Sequence, residues 1–335
     1  MQQRVAIGGP YFDDLKVGDV FDDAPAVTLT EAHAAVYQAA FGDRLRLPLD
    51  ATLSRAVTGS ERPLVHPLLV SHLSIGQTTT LSQRVRGNLF YRRLIMHKPV
   101  HVGDTLRTRS EVAGLTQNAL RSGRAATGMV ALRTRTVDQN GDAVLDYWRC
   151  PMLPLREQIE TGHADDLDEI PGTVTEDDVR GAIPRSWNAD RFPARSSAPR
   201  PNVTYVVEAR ETVTSALEVA HLTLNIASAH ADPAASAYDR RLVYGGHTIS
   251  VAFAHATRAL PDLITILAWH RCDHLAPVFE GDLLRTEITV HDVQPLHESS
   301  VLELSARTFA ETPGDPGERS VLEWRFAALH AAVTA

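Results

Sequence analysis

One loop in the second half of the chain carries side chains suited to acid–base chemistry. It runs from Asn225 through His230 to Asp232 and Pro233. An imidazole titrates near neutral pH, so His230 can accept or donate a proton. Asn225 cannot take a proton and can only orient a water molecule through its amide. Asp232 either orients His230 or caps the next turn of the chain.

A second cluster follows this loop at the start of a predicted helix. It consists of Gly245, Gly246, His247 and Thr248. The two glycines lack a Cβ, so a ligand can approach the backbone closely. Backbone N–H groups near His247 and Thr248 would bind an oxyanion at the helix N-terminus, where the helix dipole favours negative charge. Plain alternatives are a simple turn for the glycines and a capping or packing role for His247.

The two halves of the chain resemble each other, which indicates an internal duplication. Four pairs of segments match in the same order: PVHVGDTLRT (99–108) with PVFEGDLLRT (277–286), VLDYWR (144–149) with VLEWR (321–325), VTLTEA (27–32) with TVTSA (212–216), and VHPLLVS (65–71) with GHTIS (246–250). We therefore expect an N-terminal domain over 1–154, a linker over 155–202 and a C-terminal domain over 203–335.

Each half predicts the same elements in the same order. A short helix follows a Thr cap at Thr30 and Thr214, and a longer helix is expected at 66–80 and 247–260. Alternating apolar residues then predict three strands in each half, over 105–115, 128–138 and 143–153, and over 283–293, 300–310 and 320–331. One long helix with several antiparallel strands is an α+β arrangement in which a sheet wraps around a helix.

The segment between the halves has the composition of a linker. An acidic block is followed by a block rich in Pro, Arg and Ser, with little apolar periodicity. Four apolar side chains are expected to hold it to a surface: Ile170, Ile183, Trp187 and Phe192.

Composition excludes several classes of protein. The 335 residues carry a net charge of −8, so a nucleic-acid-binding surface is not expected. No apolar run is long enough to span a membrane and no secretory signal is evident, so we expect a cytoplasmic protein. Cys150 and Cys272 cannot form a disulfide framework. Because Lys16 and Lys98 are the only lysines among 33 basic residues, an anion site must use Arg, His or backbone N–H groups.

A run of possible metal ligands, His270, Cys272 and His274, shares one face of a predicted strand. At about 3.3 Å per residue the outer two lie roughly 13 Å apart, too far to bind one ion. No metal site is expected, and these side chains are predicted to line the core or a cleft.

The chain resembles the MaoC-like (R)-specific enoyl-CoA hydratases. The resemblance rests on Tyr11-Phe-Asp-Asp-Leu-Lys-Val-Gly-Asp19, the Gly42-Asp43 step and a helix-opening His. It implies a hotdog fold, duplicated here as a double hotdog, and an acyl-CoA thioester as substrate without a cofactor. The family loop reads G-D-x-N-P-x-H-x-D. The resemblance implies that its Asp and His act on the water and the α-proton, and that a helix-terminal N–H binds the thioester oxygen.

Neither half keeps the whole family loop. The first half retains Gly42 and Asp43, but three other residues replace the family's Asn, Pro and His: Leu45, Arg46 and Pro48. The second half retains His230, with Asn225 in place of the Asp. Asp43 could assist His230 only if the two loops meet.

The start of the long helix also favours the second half. Pro67 follows His66 in the first half, and a proline has no N–H for an oxyanion. Thr248, with its N–H intact, is matched to that place in the second half. The second half is therefore predicted to hold the active site.

A narrower resemblance concerns the acyl group. Asn225 five residues before His230, with R-L-V-Y-G-G-H-T-I-S at 241–250, is similar to the mesaconyl-CoA (2-methylfumaryl-CoA) hydratases. This implies hydration of a branched enoyl-CoA diacid, or the reverse dehydration. The free carboxylate would need an Arg, and the candidates are Arg240, Arg241 and Arg271. An acyl-CoA thioesterase and a non-catalytic acyl-CoA-binding protein remain alternatives, and a homodimer or larger homo-oligomer is left open.

Overall fold

The computed structural model describes residues 3–5, 7–167, 172–196, 198–297, 299–315 and 317–331. Its helices are α1 (Glu31–Phe41), α2 (Arg46–Leu49), α3 (Ala51–Thr58), α4 (Pro67–Gln77), α5 (Glu176–Gly181), α6 (Ala216–Leu222), α7 (Ser228–Ala231) and α8 (Gly245–Ala259). Its strands are β1 (Val20–Phe21), β2 (Val27–Thr28), β3 (Gly87–Met96), β4 (Thr105–Gln117), β5 (Thr127–Val137), β6 (Ala143–Pro154), β7 (Val203–Thr212), β8 (Leu263–His274), β9 (Leu283–Pro295), β10 (Ser299–Glu311) and β11 (Arg319–Ala331). Across these described stretches, no helix has the length and apolar character needed to cross a bilayer.

The strands form one antiparallel sheet that runs through both halves. Its order is β1-β4-β5-β6-β3-β8-β11-β10-β9-β7, with β2 also paired to β4. The order on one side of the β3–β8 junction mirrors the order on the other side. The two halves are therefore related by a pseudo-twofold axis at that junction, where Tyr91 pairs with Cys272 and Leu94 with Trp269.

Each half of the sheet wraps around one long helix. Every residue of α4 is buried, as are twelve of the fifteen residues of α8. A helix that is apolar on every side is a core helix, because sheet and neighbouring helix together surround it. Large buried aromatic side chains from both halves, such as Tyr147 and Trp324, belong to one shared core.

The pseudo-symmetry extends to the hydrogen bonds that join the halves. Thr79 lies just past α4 and its hydroxyl accepts the backbone N–H of Ile226 at 3.1 Å. Thr257 lies near the end of α8 and its hydroxyl accepts the N–H of Arg44 at 3.2 Å. Each long helix thus positions the loop of the other half.

The long helices begin at different residues from those that sequence matching suggests. In α4, His66 is the N-cap and Pro67 the first residue; in α8, Tyr244 is the N-cap and Gly245 the first residue. The two N-caps have nearly the same backbone angles, with φ and ψ of −59° and 128° against −58° and 127°. His66 therefore corresponds to Tyr244, not to His247, and the expected match of VHPLLVS to GHTIS is wrong by three residues.

The predicted cap of the second short helix is also displaced. Thr30 caps α1 and accepts the N–H of His33 at 3.4 Å, as predicted. Its counterpart α6 begins at Ala216 after Ser215, so Thr214 is not its N-cap.

The segment between β6 and β7 packs against both halves. It contains α5, and Phe192 is buried in a cluster with Leu53 of α3 and Ile264 of β8. Ile183 and Trp187 pack against the same cluster. Ile170, also expected to hold this segment, lies outside the described residues.

Candidate active site

A cavity of about 220 Å³ lies between the two halves. One side is formed by the end of α4 with β3 and β6 of the first half, and the other by α7 and the start of α8. Among the predicted site residues, four line it: Asn225, His230, Gly245 and Thr248. The first half contributes Arg86, Tyr91 and Arg149, among others. The cavity is therefore built jointly by both halves.

His230 is held as a neutral base. Its Nδ1 lies 2.7 Å from the carbonyl oxygen of Leu242. A carbonyl only accepts hydrogen bonds, so Nδ1 carries the proton and Nε2 keeps its lone pair. Burial, together with the positive charge of Arg149, lowers the pKa of His230 to about 4, against the opposing effect of the Leu242 hydrogen bond. At neutral pH the imidazole is therefore available as a proton acceptor.

Asn225 has one end of its amide already fixed. Its Oδ1 accepts the N–H of Ala227 at 3.0 Å, which leaves the Nδ2 hydrogens as the donors available to a ligand or water. A close approach to α4 places this loop. A Cβ on Gly76 would lie 1.6 Å from the carbonyl oxygen of Thr223 and 3.2 Å from the N of Asn225, so only glycine fits there.

The N-terminus of α8 presents uncapped N–H groups. No side chain of Tyr244 caps it, and Gly245 and Gly246 are its first two residues. The N–H of His247 instead donates to the carbonyl of Tyr244 at 2.9 Å. The expected oxyanion donors near His247 and Thr248 are thus shifted to Gly245 and Gly246, because the helix starts earlier than predicted.

The two glycines make room for protein side chains as well as for a ligand. A Cβ on Gly245 would lie 2.5 Å from Cε1 of His274, and one on Gly246 would lie 2.8 Å from Nδ1 of His72. Gly246 does not line the cavity, whereas Gly245 does. The first N–H of α8, from Gly245, is consequently the donor best placed for an oxyanion in the cavity.

The corresponding helix start in the first half is closed. Pro67 has no N–H, and Nδ1 of His66 accepts the N–H of Leu68 at 3.1 Å. Two of the N–H groups that an oxyanion would need are therefore missing or occupied. This difference favours the second half as the reactive one, through Gly245 rather than through Thr248.

Two further predicted residues, His247 and Asp232, do not line the cavity. His247 packs its ring against Phe41, with ring centroids 5.1 Å apart. Asp232 is exposed and caps the next turn by accepting the N–H of Ala234 at 2.9 Å. Of the two roles considered for Asp232, the structure shows the cap, since Leu242 orients His230.

Asp43 belongs to the counterpart site in the first half. It is buried, accepts the N–H of Leu45 at 2.7 Å, and lies 3.3 Å from Nε2 of His66. Its bond to the residue two positions later matches that of Asn225. It does not line the cavity with His230, so the expectation that Asp43 could assist His230 is wrong.

The pseudo-twofold axis relates the cavity to a second position in the molecule, and aromatic side chains fill that position. Tyr91 pairs with Arg149 between β3 and β6, and Trp269 pairs with Phe326 between β8 and β11. These pairs are equivalent under the pseudo-twofold. Trp269 and Phe326 are fully buried, and Trp324 stacks on Phe326 with ring centroids 4.0 Å apart. The first half's site has therefore lost its volume as well as its His.

The segment after α5 covers the entrance of this filled site. A much smaller cavity of about 30 Å³ is lined by Val65 and Pro67 together with Pro184 and Trp187. Val65 and Pro67 correspond to Val243 and Gly245, which line the large cavity. The interdomain segment thus lies where a ligand would enter in the second half.

Arg46, which departs from the family loop, holds this segment in place. Its guanidinium lies 4.3 Å from the ring centroid of Phe192 and donates to the carbonyl of Pro193 at 2.7 Å. It also pairs with Asp262 at 3.2 Å. The departure therefore has a structural reason in the packing of the interdomain segment.

The arginines expected to bind a substrate carboxylate are occupied elsewhere. Arg241 pairs with Glu280, Arg271 pairs with Glu323 at 2.9 Å, and Arg240 lies over the ring of Phe279. None of the three lines the large cavity. This expectation was wrong because sequence proximity to the motif does not report which side chains face the cavity.

Arg149 and Arg86 both line the cavity and were not predicted from the sequence, and Arg149 is the more deeply buried of the two. It is 3% exposed and donates to the hydroxyl of Ser82 at 2.9 Å and to the hydroxyl of Thr78. No carboxylate among the described residues pairs with it. The available signal was strand alternation, because a charged Arg follows at an inward position two residues after Tyr147 in a predicted strand.

The run of possible metal ligands separates in the structure. His270 pairs with Glu303 at 2.8 Å, and Cys272 is buried in the core. His274 lines the cavity, and burial lowers its pKa to about 4. Within the described ranges, no group of three His, Cys, Asp or Glu side chains is arranged to hold a metal ion.

Known proteins resemble this chain in fold and in sequence. The solved structure of the conserved hypothetical protein Rv0216 from Mycobacterium tuberculosis, described as a double hotdog, is 43% identical, with a TM-score of 0.87 over 97% of this chain and 99% of that chain. The expected double hotdog is thereby confirmed.

Mesaconyl-CoA hydratase of Cereibacter sphaeroides is 30% identical over 91% of this chain and 90% of its own length. Beta-methylmalyl-CoA dehydratase of Chloroflexus aurantiacus is 27% identical over 82% and 80%. The model of the mesaconyl-CoA hydratase family matches residues 3–262, and the chain belongs to that family.

Proposed function

We propose that this chain is a hydro-lyase that adds water to, or removes it from, the C2–C3 double bond of an enoyl-CoA thioester. One observation carries the proposal. The neutral His230 and the uncapped N–H of Gly245 line the same cavity between the halves, whereas the counterpart cavity is filled. The family membership and the names of the two relatives support the same reaction.

Hydration begins with the thioester oxygen bound to the N–H of Gly245 at the start of α8. The developing enolate charge is stabilised there by the N–H and by the helix dipole. Asn225 Nδ2 donates to the oxygen of the attacking water and orients it. His230 Nε2 removes one proton from this water as its oxygen bonds to C3.

The second step restores neutrality. The π electrons of the C2–C3 bond have moved onto the thioester as an enolate, and His230 is now an imidazolium. Its proton is delivered to C2, which collapses the enolate and regenerates the neutral imidazole. One water has been added, no electrons have been exchanged with another compound, and the proposed cycle uses no cofactor.

The low pKa of free His230 is compatible with this role. A base with a pKa near 4 is weak in the empty cavity. The negative charge that develops on the enolate a few ångströms away favours the protonated form and raises the proton affinity during the reaction. The base is therefore strengthened at the stage when it must hold the proton.

We propose mesaconyl-CoA, or its hydrated form β-methylmalyl-CoA, as the substrate. The proposal rests on the names of the two relatives and on a cavity with a polar inner wall that includes Arg149 and Tyr91. A neutral enoyl chain would meet a charged side chain at that wall.

The proposal is tested by ultraviolet absorbance of the purified full chain with mesaconyl-CoA and with crotonyl-CoA. We expect the band of the conjugated enoyl thioester to decrease without release of free thiol. Release of thiol would show a thioesterase instead. No change with either compound would show that the cavity binds without reacting, and both of these results would overturn the proposal.

A further inference from the structure

Arg149 places an unneutralised positive charge in the wall of the cavity. Its guanidinium donates to the backbone carbonyl of Ile75 at 3.4 Å and to the hydroxyls of Thr78 and Ser82, all of which are neutral. Its Nε is buried without a hydrogen-bond partner among the described residues. An isolated ion in a protein interior costs several kcal/mol unless an opposite charge matches it.

No arginine occupies the position near α8 that is equivalent to Arg149 near α4, which argues against a purely structural role for Arg149. The guanidinium lies at the C-terminus of α4, where a helix dipole favours a cation. If this contact served only to hold the helix end, the pseudo-equivalent position at α8 would need a similar group. That position is Phe326, a buried aromatic side chain that fills the counterpart cavity. The charge therefore occurs only at the cavity that stays open.

A second unpartnered polar group lies on the same wall. The hydroxyl of Tyr244 is buried without a hydrogen-bond partner among the described residues, and its side chain lines the cavity. Its ring centroid lies 5.6 Å from that of His230. The charge of Arg149 also acts on His230, whose pKa it lowers. The cation, the phenol and the base therefore face one region of the cavity.

We propose that Arg149 binds a free carboxylate on the acyl group of the substrate, with Tyr244 as a further donor, and so selects dicarboxylic enoyl thioesters over neutral ones. The inference rests on the proposed function. A guanidinium and a phenol are both hydrogen-bond donors, and a carboxylate is the acceptor that also supplies the missing charge. In mesaconyl-CoA the free carboxylate is bonded to C3, the carbon attacked by water. Binding it near His230 places C3 close to the base.

The test compares two substrates that differ only at this group. Tiglyl-CoA carries a methyl in place of the free carboxylate of mesaconyl-CoA. Substitution Arg149→Met keeps much of the side-chain volume and removes the charge. We expect kcat/KM for mesaconyl-CoA to fall about 100-fold or more, as for loss of one partner of a buried charge pair. The kcat/KM for tiglyl-CoA should stay unchanged or rise.

Two controls separate binding from folding. Arg325→Met alters an exposed Arg next to Phe326 that does not line the open cavity, and it should change neither substrate's kcat/KM. Arg149→Lys keeps a positive charge and should retain a preference for mesaconyl-CoA, although a weaker one because the planar donor set is lost. If Arg149→Met does not fold, Arg149→Gln is measured in its place with the same expected switch.

Two results would overturn different statements. Suppose that the wild-type chain hydrates mesaconyl-CoA. If the Arg149 variants then lose activity equally towards both substrates, or keep full activity towards both, the carboxylate assignment is wrong while the proposed function stands. If the wild-type chain hydrates neither compound, the proposed function fails, and the carboxylate assignment fails with it.

Discussion

The tautomer of His230 depends on the Leu242 carbonyl, and its low pKa depends on burial beside Arg149. A general base works only when it is deprotonated, so kcat/KM should fall as the pH decreases through its pKa. We expect this acid limb of the free enzyme near pH 4, in a profile of kcat/KM against pH. An acid limb near the ordinary His value of about 6.5 would contradict the assignment.

A substitution at Asn225 should move this limb in a known direction. Asn225→Asp keeps the acceptor for the Ala227 N–H and adds a negative charge in the cavity. Such a charge favours the imidazolium, so the acid limb should shift to higher pH. Return of the enzyme to neutral pH after each measurement separates titration from unfolding. An unchanged limb would show that Asn225 and His230 do not share one site.

The N–H of Gly245 can be tested apart from the space around it. Gly245→Ala and Gly245→Pro both place a Cβ against His274, but only proline removes the N–H. Proline is compatible with a first helical position, and Tyr244 already has the backbone angles of His66, which precedes Pro67. We expect Gly245→Pro to lower kcat about 100-fold below Gly245→Ala.

The comparison between the two Gly245 variants decides the role of the N–H. Equal activity in the alanine and proline variants, both correctly folded by circular dichroism, would exclude this group as an oxyanion donor. The glycine at position 245 would then be explained only by the lack of space for a Cβ beside His274.

At the residue scale, sequence matching predicted the loop that contains His230 but not the cavity wall that the first half contributes. His230 and Asn225 line the cavity, and they were predicted because their spacing follows a continuous motif. Arg149 was missed because it reaches the site from β6 of the other half. The helix start was misplaced because a His occurs near it in both halves, at His66 and at His247, in positions that do not correspond.

At the scale of elements, the interdomain segment packs against both halves beside the filled site. Phe192 is 3% exposed and buried against α3 and β8. Phe192→Ala should destabilise the protein by about 3 kcal/mol through the cavity that it leaves. Urea unfolding measures this loss, and kcat below the transition should be unchanged because Phe192 does not line the cavity that contains His230.

The exposed neighbour Arg191 provides the control for this segment. Arg191→Ala should change the unfolding free energy by no more than about 0.5 kcal/mol. A loss of kcat in the folded Phe192 variant would contradict the view that this segment covers only the filled site.

Among the predicted strands, β4, β5, β9 and β10 alternate buried and more exposed residues over most of their length. The β6 and β11 strands contain longer buried runs, and β7 was missed although it alternates. The β3 strand contains register shifts and a residue with positive φ, Arg93 at 47°. It pairs with β8 of the other half, so its stability depends on a tertiary contact that local sequence does not report.

At the scale of the whole molecule, buried histidines should make stability depend on pH. Burial lowers the folded-state pKa of His72 to about 3 and of His230, His247, His255 and His274 to about 4. In the unfolded chain they titrate near 6.5. Between these values the unfolded state binds more protons, so stability is present above about pH 6.5 and is lost as the pH falls towards 4.

The size of this dependence can be measured by urea unfolding at several pH values. Each such His contributes at most about 1.4 kcal/mol per pH unit in that window. We expect the urea midpoint to decrease steadily from pH 7 to pH 5. A constant midpoint over this range would show that these imidazoles are solvated in the folded protein.

The molecule as a whole is a fused pseudo-dimer in which one of two equivalent positions is an open cavity and the other is filled by aromatic side chains. The duplication could be inferred from repeated segments. The loop sequences also indicated which of the two sites is altered. They did not indicate that aromatic side chains fill it, because Trp269 and Phe326 become neighbours only through the pairing of β8 with β11.

Parallel assays of His230→Ala and Pro48→Ala with mesaconyl-CoA test the central claim most directly, since these residues occupy equivalent places in the two loops. We predict that His230→Ala lowers kcat by about 100-fold or more, while Pro48→Ala retains wild-type activity. Loss of activity in Pro48→Ala with full activity in His230→Ala would contradict the account and place the reaction in the first half.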